Sequence, residues 1–179
     1  MALRSTVYKA ALQIADMDRH YYADHSLVLA RHPSETDERM MMRLLAFALH
    51  ADPALVFGRG LSSDDEADLW RRDLTGAIEL WVEVGLPDEK WIRKACGRAA
   101  QVVLYVYGRA AGGWWEQQRA VLGRLDNLAV YRIAVEESQA LAVISSRSMA
   151  FSCTIQDGTA WFGADDGSLS VSPEKLYPL

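Results

Sequence analysis

The chain has 179 residues, half of them hydrophobic, with a mean hydropathy of −0.06 and a formal net charge of −5. That suits one well-buried domain, excludes extensive disorder, and excludes a broad basic surface for non-specific phosphate binding, so any nucleic-acid contact must be local. No apolar run approaches the ~18 residues of a membrane span, so no membrane association is expected. The start, M-A-L-R-S-T-V-Y-K, lacks the apolar core of a signal peptide, and Cys96 and Cys153 stand alone in apolar contexts. Reduced thiols in a cytoplasmic protein are the expectation.

In chain order, residues 5–15 alternate as a strand, D-M-D-R-H makes a turn, and residues 26–30 return as a second strand of a long hairpin. The run that follows, R-H-P-S-E-T-D-E-R-M-M-M-R-L-L-A-F-A-L-H-A-D, reads as a helix. Ser34 behind Pro33, with Asp37 three residues on, resembles a capping box, and Asp52-Pro53 stops the helix after about Ala51. On a wheel, Met41, Leu44, Leu45, Ala48 and Leu49 form the apolar stripe. Glu38 falls within roughly 50° of its centre, whereas Arg39 and Arg43 point away. The first-turn acid is either aimed inward or a wet partner of the helix dipole.

Residues 55–57 read as a short strand, and the segment L-S-S-D-D-E-A-D-L-W-R-R-D as a loop carrying Asp64, Asp65, Glu66, Asp68 and Asp73. Such a loop is mostly a solvated face from which one acid can feed a metal site. Residues 77–107 then read as strand, helix, strand. Ile78, Leu80, Val82 and Val84 share one strand face, and Glu79, Trp81 and Glu83 the other. Short connections put this strand inside an α/β sheet with both faces covered, where carboxylates need partners.

Pro87, Asp88 and Glu89 open the next helix, with Trp91, Ile92, Ala95, Cys96 and Ala99 as its buried stripe. Residues 101–107 form a strand, Gly112-Gly113 opens a further helix, 128–134 is a strand and 136–144 a short helix. The last thirty residues read as consecutive strands joined at Asp157-Gly158 and near Asp166-Gly167. Nothing reads as a linker, so residues 1–179 form one domain with its core at about 34–107 and a β-rich segment at about 148–172.

The glycines show no phosphate-cradling spacing, and there is no G-x-S-x-G elbow. His20, His25, His32 and His50 share no metal-ligand spacing and read as surface or turn residues. The acids remain: Glu38, Glu79, Glu83 and the loop before them. Oxygen-only clusters suit Mg²⁺ or Mn²⁺. Glu79 and Glu83 stand roughly 13 Å apart along a strand, too far to chelate one ion together, so one must pair with an acid such as Glu38 from another element. Lys94, about 10 Å into the helix, is level with residues 81–83 but turned about 130° from the stripe. The blander alternative is a structural network in which these acids pair with arginines.

Four runs carry a resemblance: R-H-P-S-E-T-D-E-R-M-M-M-R-L-L-A (31–46), I-E-L-W-V-E-V-G-L-P-D-E (78–89), K-A-C (94–96) and T-I-Q-D-G (154–158). Together they resemble the bacterial YaeQ family over essentially the whole chain. That family is similar in fold to the PD-(D/E)XK, restriction-endonuclease-like nucleases. The resemblance implies an α/β fold with a mixed sheet flanked by helices, extended by antiparallel strands from the N-terminal hairpin and the C-terminal segment. It also implies a site. Glu38 matches the helix acid, and Asp68 in E-A-D-L-W stands for the P-D acid with Ala67 in place of proline. Glu79 and Glu83 compete for the next acid, but Trp81 and Gly85 occupy the lysine positions. Lys94 would be a migrated lysine, and Gln101 opens a Q-x-x-x-Y run ending at Tyr105. The implied catalytic set is Glu38, Glu79, Glu83, Lys94 and Gln101, and the implied Mg²⁺ or Mn²⁺ ligands are Glu38, Asp68, Glu79 and Glu83. The expected function is metal-dependent phosphodiester hydrolysis on nucleic acid; the alternative is a non-catalytic nucleic-acid-binding or transcription-linked accessory protein on the same scaffold.

Overall fold

The structure, a computed structural model, describes residues 4–60 and 65–178. Its elements, in order, are β1 (Thr6–Asp16), β2 (Tyr21–Arg31), α1 (Asp37–Leu49), β3 (Leu55–Phe57), β4 (Leu69–Arg72), β5 (Ile78–Val84), α2 (Glu89–Arg98) and β6 (Ala99–Val106). These are followed by α3 (Ala111–Leu122), β7 (Leu128–Arg132), α4 (Val135–Val143), β8 (Ser148–Gln156), β9 (Thr159–Ala164), β10 (Gly167–Val171) and β11 (Glu174–Tyr177). They build two mixed sheets, ordered β10-β9-β8-β1-β2 and β11-β7-β6-β5-β4-β3. The chain is thus a mixed α/β fold with two sheets and flanking helices. No helix among the described residues is long and apolar enough to cross a membrane.

Helix α1 packs between the sheets. Every residue from Met40 to Ala48 is buried, and the core around it draws on β1, β2 and β8 from one sheet and β4, β5 and β6 from the other. This corrects the helical-wheel reading of Arg39 and Arg43 as outward-pointing. A helix buried all round has no outside, so its polar positions meet protein rather than water. The helix start is corrected as well. Thr36, not Ser34, is the N-cap, its Oγ1 accepting from Arg39 N at 3.1 Å.

A second core lies on the far side of the six-stranded sheet, where Trp81, Ile92, Ala95, Val102, Leu104, Val106 and Val130 pack together. Strand β5 is therefore covered on both faces, as its sequence predicts. It pairs in parallel with β6 through α2, and antiparallel with β4. Strand β4 lies within the segment expected to be loop. Its Leu69-Trp70 pair is short and framed by charges, so it carries little period of its own, and it forms because β5 offers an edge. β11 is also absent from the sequence reading, for the same reason.

Glycine matters at two places. At Gly58 a Cβ would lie 1.9 Å from the Ala67 carbonyl oxygen, and Gly58 N donates to the Asp68 carbonyl at 2.9 Å. Only a residue without a side chain lets the chain leaving β3 sit this close to the start of β4, which fixes the backbone at Asp68. At the β8–β9 turn, Asp157 and Gly158 have φ of 52° and 75°. This is the left-handed pair that a two-residue hairpin requires and that Asp-Gly supplies.

Candidate functional site

The carboxyl groups converge where β5 and β6 end, β4 begins and α1 starts. Leu69 pairs with Val82, so Asp68, one residue before β4, comes beside Glu83 and Val84. Asp68 accepts from Val84 N through Oδ2 at 2.9 Å and from Arg39 Nη2 through Oδ1 at 2.7 Å. The strand register brings Glu83 beside it, and Glu83 Oε1 accepts from Trp81 Nε1 at 2.7 Å. The Trp81 and Trp91 indoles both favour the charged form of this carboxyl.

Burial pushes the Glu83 carboxyl well above the usual carboxylate range, and the neighbouring Asp68 charge pushes it further; the two indoles only partly counter this. The indoles also keep water away. Trp70 and Trp91 both stand edge-on to Trp81, at 5.6 and 5.7 Å between ring centres.

Behind this pair lies a second buried acid that sequence reading passed over. Glu35 accepts from Arg43 Nε and Nη2, both at 2.8 Å, and from Arg39 Nη1 at 2.9 Å. Burial disfavours the Arg39 charge, but Asp68 and Glu35 more than offset that and raise its proton affinity above that of an ordinary arginine. Arg39 thus bridges Glu35 to Asp68. The signal was present in part as the spacing of Arg39 and Arg43, which puts both guanidinium groups on one face of α1, with Glu35 just ahead of the N-cap. Tyr107, at the end of β6, lies close enough to feel the whole group. Burial raises its phenol to about 12; Arg39 opposes this, and Glu38, Glu35 and Asp68 reinforce it.

The remaining sequence candidates lie elsewhere. Glu38 sits at the rim, half-buried, with Oε1 accepting from Ser138 Oγ of α4 at 2.6 Å. Glu79 is exposed at the other end of β5, taking Arg71 Nε at 3.0 Å, while Arg71 also faces Asp52 at 3.6 Å. Lys94 is exposed, pairs with Asp65 and lies 5.3 Å from the Trp91 ring centre. Gln101 is exposed and opposite Leu80, three positions from Leu104, the residue that pairs with Glu83. That is about 10 Å along the sheet. Of the acidic loop, Asp64 lies outside the described residues, Asp73 accepts from the backbone of its own turn, and Asp68 alone is buried.

His50 corrects the reading of the histidines as surface groups. Its Nε2 and the Tyr105 hydroxyl are 2.7 Å apart at the end of α1, and burial lowers its pKa to about 4. No group of three or more acids, histidines or cysteines poised to hold a metal occurs among the described residues. A groove of about 800 Å³ lies between the end of α4 and strands β8 to β10, and neither Asp68, Glu83, Glu35 nor Glu38 lines it. Chemically, the site is an acid of raised proton affinity beside a second carboxyl group that is held by a guanidinium.

Comparison with known proteins gives one family. The YaeQ protein family model matches residues 1–173. The YaeQ protein of Escherichia coli (strain K12) is 47% identical over 173 residues, 96% of each chain. The crystal structure of the YaeQ protein from Xanthomonas axonopodis pv. citri superposes with a TM-score of 0.93 at 52% identity, covering 96% of this chain and 98% of that one. That of the YaeQ protein from Pseudomonas syringae also gives 0.93, at 34% identity, with 98% and 97% covered. The chain belongs to the YaeQ family.

Proposed function

We propose that Asp68 and Glu83 form the centre of a restriction-endonuclease-like, Mg²⁺- or Mn²⁺-dependent phosphodiesterase acting on nucleic acid. The observation that carries this reading is the pair itself: two carboxyl groups brought side by side by adjacent strands in a buried setting, where burial and its neighbour raise the proton affinity of Glu83. A proton held by such an acid is released when a cation arrives, and pairs of acids pushed apart in this way mark functional sites. The donor set fits a hard cation. Two carboxylates suffice for Mg²⁺, which keeps several waters and takes further oxygens from a phosphate.

Asp68 and Glu83 would hold the ion. When bound, it supplies charge neutralisation for the phosphodiester and a more acidic water. Within the chain, Val84 N–H and Arg39 fix the Asp68 carboxylate, and Glu83 would have to be deprotonated to serve as a ligand. Arg39 stands in for the missing motif lysine as the cation near the developing phosphorane charge. Glu38 and Tyr107 line the approach.

A second reading is favoured by one observation: Arg39 already occupies one Asp68 oxygen and ties it to Glu35. A site whose acid is neutralised in this way suits a non-catalytic, nucleic-acid-binding or transcription-linked accessory protein. Cleavage assays on single- and double-stranded DNA and RNA with Mg²⁺ or Mn²⁺ separate the two. The catalytic reading expects activity that Glu83→Gln lowers at least ~100-fold, the scale of losing a metal ligand, while Glu79→Gln leaves it intact. Binding without metal-dependent cleavage of any of the four would favour the accessory reading.

A further inference from the structure

We infer that strand β2 is a homodimer interface, pairing antiparallel with the β2 of a second copy about a twofold axis at His25. β2 is the outermost strand of the five-stranded sheet and runs for 11 residues. The other edge strands, β10, β3 and β11, have 5, 3 and 4. Long unpaired edges are templates for another strand, and proteins blunt them with lysine, proline or bulges. From Tyr21 to Ala30 there is no lysine, proline or bulge, and Asp24 is the one fixed charge.

The free backbone groups can be assigned. Lys9 N donates to the carbonyl of Arg147, just before β8, and Met17 N to that of Ile155 in β8, so the backbone groups of odd-numbered β1 residues face β8 and those of even-numbered ones face β2. Their β2 partners are odd-numbered. The N–H and C=O groups of Tyr22, Asp24, Ser26 and Val28 therefore point off the sheet.

Self-pairing about His25 uses all four. It sets Tyr22 against Val28 of the second copy, and Asp24 against Ser26. Tyr22 and Val28 are each 61% exposed, and an aromatic beside a β-branched residue is a favourable cross-strand pair. Moving the axis to Asp24 would oppose two carboxylates. Moving it to Ser26 would oppose Asp24 and Val28.

The inner face makes the same point. On β1 the core-facing residues Tyr8, Ala10, Leu12, Ile14 and Asp16 are all at most 8% exposed. Of their β2 partners, Leu29 is fully buried, but Tyr21, Ala23, His25 and Leu27 remain half-buried, although Tyr21 and Leu27 pack on the same core. The core is thus left open along this edge. A second β2, about 30 Å of strand, closes it with the same side chains.

Sedimentation velocity of the full chain at tens of micromolar tests the pairing. The expected species is a dimer. Val28→Lys and Tyr22→Lys should each weaken association at least ~10-fold with an unchanged circular dichroism spectrum, and Leu74→Lys on an exposed turn should not. His25→Cys in a Cys96→Ser background should oxidise to a disulfide-linked dimer, since opposed Cα atoms of a non-hydrogen-bonded pair lie about 4.5 Å apart. A monomeric wild type, a dimer indifferent to Val28→Lys, or a dimer in which His25→Cys fails to cross-link would each overturn the proposal, including in favour of a foreign peptide as the natural occupant of the edge.

Discussion

Glu35 and Glu83 are buried to a similar degree, 4% and 7% exposed, yet their surroundings differ in kind. Glu35 receives three guanidinium hydrogen bonds from Arg39 and Arg43. Glu83 receives one indole N–H, from Trp81, and faces a second carboxyl group. Burial alone therefore does not decide whether an acid keeps its charge; the partners do. Glu35 sits inside a closed network of arginines, whereas Glu83 sits beside a second carboxyl group and its proton affinity is raised. Arg39 touches both worlds, because it holds Glu35 with one nitrogen and Asp68 with another.

The largest effect should come from breaking the closed network. Arg43→Met leaves Glu35 buried with only Arg39, and the cost should be about 3–5 kcal/mol by chemical denaturation. The double variant Glu35→Met/Arg43→Met should recover most of that loss, because it removes the uncompensated charge as well. If the single variant were as stable as wild type, Glu35 would not need the closed network described.

Next comes the half-buried histidine at the far end of α1. His50 titrates at about 4 in the folded chain, against about 6.5 unfolded. The folded state therefore binds fewer protons between those values. Its contribution is fully present above pH 6.5 and is lost as pH falls toward 4, by up to about 3 kcal/mol. His50→Gln, which keeps a partner for Tyr105, should flatten this slope in pH-dependent urea melts. Glu83 has the opposite sign: its folded affinity for protons exceeds the unfolded one, so it weakens the fold as pH rises above the usual carboxylate range.

Much of this organisation was legible in the sequence. The hairpin at the N-terminus, α1, β5–α2–β6 and the Asp157-Gly158 turn all follow from period and turn chemistry. Glu83 and Asp68 were both among the candidates, on either side of an unrecognised strand. The wheel failed at Arg39 and Arg43 because it supposes a solvent side, and α1 has none. Glu79 competed with Glu83 because spacing does not reveal at which end of a strand the covering helix begins. His50 was missed because its partner, Tyr105, is remote in sequence.

The smallest effect should be at the exposed candidate. Lys94→Ala removes a solvent-exposed pair with Asp65, and such pairs add little. The melting midpoint should stay within error, and any metal-dependent cleavage should persist. A loss of cleavage would move the catalytic cation from Arg39 to Lys94.

The most direct test is the titration of the Glu83 side-chain carboxyl by ¹³C NMR, with and without Mg²⁺. Without the ion its midpoint should lie well above the normal carboxylate range, and saturating Mg²⁺ should bring it down while perturbing Asp68 in step. A normal midpoint that Mg²⁺ leaves unmoved would contradict the view that Asp68 and Glu83 form a proton-storing cation site.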